Sequence, residues 1–256
     1  MPTAPYPTIE TALTFARTRL NDAIQSINGS VLTDAQPFTT PVVNAAWIWL
    51  QEWLVSHGFN TLVKESAPLL IPLITTSATG IQVWIDWTGF FDGTTLQATP
   101  ALPQDLIQAK DCWEDTGNGY RQMDEFSETL PKIPKKPWLG GFQWQDNKLY
   151  FIGATQNIQV IVQYCAYFPA FTDLSVAGAG LQPIRIMRAE DALAWRIAYE
   201  VASARGDADA ASLASNAEAA AARILTRDVL VQTGVQQTSE YQKMKDPAYS
   251  GAVVTQ

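Results

Sequence analysis

The sequence contains one histidine, His57, and two cysteines, Cys112 and Cys165. A histidine-based triad or metal site therefore has one residue to draw on. Two cysteines are too few for a disulfide framework, and no Cys/His cluster has zinc-ligand spacing. No uncharged apolar run reaches the ~18 residues of a membrane helix. The opening Met1-Pro2-Thr3-Ala4-Pro5-Tyr6-Pro7 lacks the basic-then-apolar order of a signal peptide. Basic side chains number 17 against 25 acidic ones, giving a formal charge of −8 and a pI near 4.6. That balance argues against the chain as a whole gripping nucleic-acid phosphates, while leaving room for a local basic patch. Also missing are G-x-S-x-G, a Walker phosphate loop, G-x-G-x-x-G and H-E-x-x-H; Gly117-Asn118-Gly119 has neither the third glycine nor a strand-to-helix setting. What remains is expected to be a soluble, mildly acidic protein made in a cytoplasm. Its 256 residues allow one or two domains, and a hydrophobic content of 47% is ample for a core.

Periodicity divides the chain into three parts. In the first 58 residues Ile9, Leu13, Ala16, Leu20, Ile24 and Ile27 recur every three or four positions after a capping Thr8, and Asn28-Gly29 ends that helix. Thr40-Pro41 starts a second helix with the stripe Val43, Ala46, Trp47, Leu50, Trp53 and Leu54, stopped by Gly58. From Phe59 to Gln182 the period falls to two. Ile81, Val83, Ile85 and Trp87 alternate with polar or opposite-face residues. Asp146-Asn147 reads as a tight hairpin turn, and Ile158, Val160, Val162 and Tyr164 share one side of a long strand that Pro169 stops. The last third is helical again: Leu193, Ile197 and Val201 lie in register, Arg205-Gly206-Asp207 breaks the helix, and Leu213, Ala217, Ala220 and Ile224 follow. Fifteen of the thirty-four residues from Ala189 to Ala222 are alanine, which favours helix and close helix approach.

The expected fold class is therefore α+β. A helical bundle built from the N- and C-terminal helices (1–58 and 183–237) would carry an inserted, mostly antiparallel β sandwich or barrel-like region (59–182). Residues 238–256 have no apolar period and read as an extended interaction arm that orders only against a partner.

Candidate chemistry is sparse. His57 falls at a helix C-terminus, where the dipole favours a cation. The β region holds Asp86, Asp92, Asp105, Asp111, Glu114, Asp115, Asp124, Glu125 and Glu128 amid Trp84, Trp87, Trp113 and Trp144. Two carboxylates with aromatic platforms would suffice for glycoside hydrolysis or sugar binding, but solvated loop charge and core tryptophans are the plainer reading. Lys132, Lys135 and Lys136 form the compact basic cluster, a possible contact loop for DNA or an acidic partner. Neither catalytic nor cofactor-binding nor metal residues are assigned, and no cofactor is expected, calcium on loop carboxylates being the open exception. The expected partner interface is Arg223, Arg227 and Gln232 with Tyr241, Met244, Tyr249, Val253 and Val254 of the arm.

Several phrases, Leu102-Pro103-Gln104-Asp105-Leu106, Cys112-Trp113-Glu114, Gly141-Phe142-Gln143-Trp144, Gly153-Ala154-Thr155-Gln156, Ile161-Val162-Gln163-Tyr164 and Ala204-Arg205-Gly206-Asp207 among them, together resemble virion structural proteins of tailed bacteriophages. The helix, β-insert, helix order resembles the adaptor (gatekeeper) proteins at the head–tail junction. The resemblance covers roughly residues 102–245. It implies a non-enzymatic assembly protein of the virion, built in the host bacterial cytoplasm. Copies would form a ring, a dodecamer, between the portal protein and a tail tube or nozzle protein, with packaged DNA only passing through and no membrane involved. An acidic lumen would let the genome slide. The alternatives are another phage structural protein, minor capsid or head-decorating, or a carbohydrate-binding or carbohydrate-degrading accessory protein using the β region.

Overall fold

The computed structural model describes residues 7–20, 39–73, 83–126, 136–176 and 178–226. The chain divides into two compact units, one made of residues 1–59 and 170–256, the other of residues 60–169.

The first unit holds α1 (Ile9–Arg19), α2 (Thr40–Ser56), α3 (Glu190–Arg205) and α4 (residues 210–226). α3 packs against both α1 and α2. Their apolar stripes meet there: Ile9, Leu13 and Ala16, then Val43, Trp47, Leu50 and Leu54, then Leu193, Ile197 and Val201, all buried. Pro41 sits in the first turn of α2, where a missing N–H costs nothing. Gly58 and Gly206 adopt φ of 87° and 75°. Each closes its helix with a Schellman pair of hydrogen bonds, Phe59 N–H to the Leu54 carbonyl (2.9 Å) and Asp207 N–H to the Ala202 carbonyl (2.9 Å). The Thr8 hydroxyl accepts no N–H of the first turn and so makes no side-chain cap. The start of α1 is instead tied by backbone, Ile9 N–H to the Gln182 carbonyl (3.1 Å) and Ile184 N–H to the Pro7 carbonyl (2.8 Å). The segment entering α3 is strapped to α2: the Asn44 amide donates to the Phe171 carbonyl (3.0 Å) and accepts from its N–H (2.8 Å).

Among the described residues the second unit has eleven strands. In chain order they are β1 (Leu62–Glu65), β2 (Leu69–Ile71), β3 (Val83–Ile85), β4 (Phe90–Phe91), β5 (Leu96–Gln97), β6 (Leu106–Asp115), β7 (Tyr120–Gln122), β8 (Asp124–Glu125), β9 (Gly141–Gln145), β10 (Lys148–Phe151) and β11 (Ile158–Ala166). They make a five-stranded sheet ordered β1-β11-β6-β7, with β2 also on β11, and a six-stranded sheet ordered β5-β4-β3-β10-β9-β8. Every pairing is antiparallel except β8 with β9. Both sheets contribute to one core, where Val83, Ile85, Phe142, Leu149 and Phe151 meet Leu106, Cys112, Val160, Val162 and Tyr164. The Asp146-Asn147 turn has φ of 50° and 60° and joins Gln145 to Lys148 in register, as a type I′ hairpin requires.

This architecture corrects the expected fold class. Helix covers 35% and strand 28% of the described residues, and the strands lie in two sheets. The fold is a mixed α+β arrangement rather than a helical bundle of terminal helices framing a β insertion. The physical reason lies in α4. Its buried residues are Leu213, Ala217, Ala220 and Ala221, while most other positions are exposed. A stripe dominated by single methyl groups buries too little apolar surface to form the fourth wall of a bundle core. Among the described residues no helix is long and apolar enough to cross a membrane.

Candidate functional site

Of the expected interface, only Arg223 falls within the described residues; Arg227, Gln232, Tyr241, Met244, Tyr249, Val253 and Val254 lie outside them. Arg223 lies on the polar side of α4 in its last turns with its side chain 75% exposed, 3.7 Å from Asp191 Oδ2. Asp191, in the first turn of α3, is also ion-paired with Arg19 from the last turn of α1. The Arg19 guanidinium in turn lies 3.9 Å from the ring centre of Trp195. Burial pulls the Arg19 pKa down, and Asp191 works against that pull. One carboxylate at the start of α3 thus faces two arginines, one from the end of α1 and one from the last turns of α4. Along α4 itself the outward positions are Ala211, Ser212, Ser215, Asn216, Glu218, Ala219, Arg223 and Thr226. Two charges over four turns is a sparse outer face for a surface helix.

Lys132 and Lys135 lie outside the described residues. Lys136 is described, and its carbonyl accepts Thr155 N–H (2.9 Å). Its ammonium lies 5.8 Å from the ring centre of Trp138, with Arg121 5.7 Å from the same ring. Trp138 is 43% exposed. What holds this loop is Glu114, whose carboxylate is fully buried. One of its oxygens is ion-paired with Arg121, and the other accepts N–H bonds from Leu139 (2.7 Å) and Gly140 (3.2 Å). The sequence reading missed this device. It placed Glu114 among solvated loop charges, whereas Glu114 sits on the core side of β6 opposite Val160. Its position in register with buried Cys112 was the available signal.

Five of the other carboxylates fold turns or hold neighbouring side chains. Asp86 and Asp92 each fold a turn, accepting from Thr88 and Gly89 and from Thr94 and Thr95. The Thr95 and Thr94 hydrogen bonds hold Asp92 well below the usual carboxylate range. Asp105 accepts from Lys64 (2.5 Å) and from the Tyr164 hydroxyl (3.1 Å). Burial raises its pKa, yet Lys64 and Tyr164 together bring it net down. Burial and that same hydrogen bond push Tyr164 up to about 12. Asp115 accepts from Gly117 N–H (2.8 Å) and Asp111 from Gln122 (2.8 Å). Asp124 and Glu125 are exposed on β8, and Glu128 lies outside the described residues. Among the described residues no group of three or more His, Cys, Asp or Glu could hold a metal ion.

Trp87 and Trp144 pack on the sandwich core. Trp84 stands between Phe91 (5.3 Å, stacked) and the Lys148 ammonium (4.1 Å). Trp113 lies on the opposite side of β6 from the core. His57 stacks on Trp53 at 3.9 Å, and its Nδ1 lies 2.7 Å from the Trp53 carbonyl, which fixes Nδ1–H as the donor. Both thiols are buried, and burial pushes them above the usual thiol range, Cys112 most strongly. Comparison with protein-family models and with curated proteins finds no match.

Proposed function

We propose that this chain is a non-enzymatic assembly protein of a tailed-bacteriophage virion, a head–tail adaptor that forms a ring between the portal and the tail. The observation that carries the reading is the outer face of α4. It is solvent-exposed, built of alanine, serine, asparagine and threonine, and bears only Glu218 and Arg223 as charges. Small side chains let a second helix approach closely without desolvating charge, which suits contact with a neighbouring copy. The sequence resemblance to adaptor proteins supports the same reading. So does the carboxylate chemistry: among the candidate acids Asp86 and Asp92 fold turns, Asp105 pairs with Lys64 and Glu114 anchors a loop. The implied partners are the portal protein, further copies of the chain and a tail tube or nozzle protein.

The test is to mix the purified chain with the portal protein of the same phage and weigh the product by mass photometry. The expected product is the portal carrying a ring of chains. Ala219→Trp should abolish that product while leaving the melting temperature of the isolated chain within a degree or two, as exposed substitutions do. Failure of the unaltered chain to associate with portal, or normal assembly of the Ala219→Trp variant, would overturn the reading.

A further inference from the structure

The geometry points to a binding surface for an uncharged polysaccharide on the outward face of the five-stranded sheet. On β11 the core takes Ile158, Val160, Val162 and Tyr164, so Gln159, Ile161 and Gln163 point the other way. Strand register carries that outward row across the sheet. Ile161 lies opposite Trp113, and Trp113 opposite Gln122. Gln163 lies opposite Asp111, and Asp115 opposite Tyr120. Directly paired side chains on one face are within ~5.5 Å of each other. The centre is therefore an indole beside an isoleucine, flanked by amides and a phenol. Tyr120 is 45% exposed, and Gln122 and Gln159 are exposed. The flank is also oriented: Gln122 Nε2 donates to Asp111 Oδ1 (2.8 Å), and the Tyr120 hydroxyl donates to Gln159 Oε1 (3.4 Å).

Charge selects the occupant. Three carboxylates, Glu65, Asp111 and Asp115, stand on or beside this face, with Lys110 the cation beside them on β6. That excess repels a polyanion such as nucleic acid. Asp111 and Asp115 each accept one neutral N–H, from Gln122 and from Gly117, and keep their charge, so a lysine-rich peptide is the rival occupant that the test must reject. What the face presents in quantity is primary amide, each with donors and an acceptor on one planar group, around an apolar aromatic centre. A pyranose is the complementary shape, with hydroxyls that both donate and accept around a ring whose C–H face is apolar and stacks on an indole. This inference does not depend on the proposed place in the virion.

The test uses the intact chain and calorimetric titration with four neutral hexasaccharides, built of glucose, xylose, mannose and N-acetylglucosamine, beside heparin and a lysine-rich peptide. At least one neutral hexasaccharide should bind saturably, and heparin and the peptide should not. Trp113→Ala should abolish binding. Should that variant fail to fold, the pair Gln122→Ala/Gln163→Ala, one exposed and one half-buried, decides: it should melt normally and bind at least about tenfold more weakly. The proposal is overturned if none of the four sugars binds, if binding survives the glutamine pair unchanged, or if only the lysine-rich peptide binds.

Discussion

The helical unit and the β unit handle charge in opposite ways. In the helical unit the ion pairs are half-buried and keep one side in water: Arg19 and Asp191 are 14% and 40% exposed, and Arg196 and Glu200, one turn apart on α3, are 19% and 27% exposed. The β unit places one carboxylate, Glu114, wholly inside, and uses it to hold the Leu139–Gly140 backbone and an arginine at once. The difference follows from how each fold satisfies its backbone. Helices close their own hydrogen bonds, so their charges are free to be solvated. A sandwich with short strands leaves loop N–H groups near the core, and these need a buried acceptor. Stability in the first unit should therefore depend on apolar area, and in the second partly on one polar anchor.

Substitutions at four positions would break or sharpen that contrast. Leu193→Ala, at the meeting of α3 with α1 and α2, should cost about 2 to 5 kcal/mol in urea denaturation; a cost below ~1 kcal/mol would show that apolar packing does not dominate the helical unit. Glu114→Ala should cost about 2 to 4 kcal/mol, because it strands the buried Leu139 N–H and removes charge-assisted bonds. Glu114→Gln should recover part of that loss. It should also change the fluorescence of Trp138, which the anchor positions; equal effects of the alanine and glutamine variants would refute the anchor.

The Asp105–Tyr164 pair gives the β unit a pH signature at both ends. Tyr164 is raised to about 12, so its contribution is complete below the unfolded tyrosine value of about 10 and is lost as pH rises through the folded one. Asp105 is lowered, so its contribution is present above the unfolded aspartate value of about 3.9 and is lost as pH falls through the folded one. Tyr164→Phe should flatten the alkaline limb of a melting-temperature profile, and an unchanged limb would count against the hydrogen bond. The smallest effect belongs to Arg223→Ala. Its exposed contact with Asp191 predicts less than about 0.5 kcal/mol, and a larger loss would mean that α4 is more firmly held than its alanine stripe suggests.

Local signals were legible in the sequence and nonlocal ones were not. The Ile9, Leu13 and Ala16 part of the α1 stripe, the α2 stripe, the Pro41 start, the Gly58 and Gly206 stops, the Asp146-Asn147 turn and the buried side of β11 are all written within a few residues of where they act; Ile24, Ile27, Asn28-Gly29 and Ile81 lie outside the described residues. The Thr8 cap failed because backbone from 182–184, far along the chain, meets the start of α1 instead. The expected bundle failed because a helical period does not reveal how little area an alanine stripe buries. Glu114 looked like any loop acid, since its partners Leu139 and Gly140 lie 25 and 26 positions away. Trp138 drew no notice because its neighbours Arg121 and Lys136 converge only once β7 and the 136–140 loop are placed. The arm residues Tyr241, Met244 and Tyr249 lie outside the described residues, so that reading rests on sequence alone.

The central claim is a place in a particle, and immunogold electron microscopy of intact virions tests it most directly. Antibody raised against the chain should label one vertex, at the junction of head and tail, once the tail is detached. Label spread over the capsid shell or along tail fibres, or no label on particles at all, would contradict the adaptor reading.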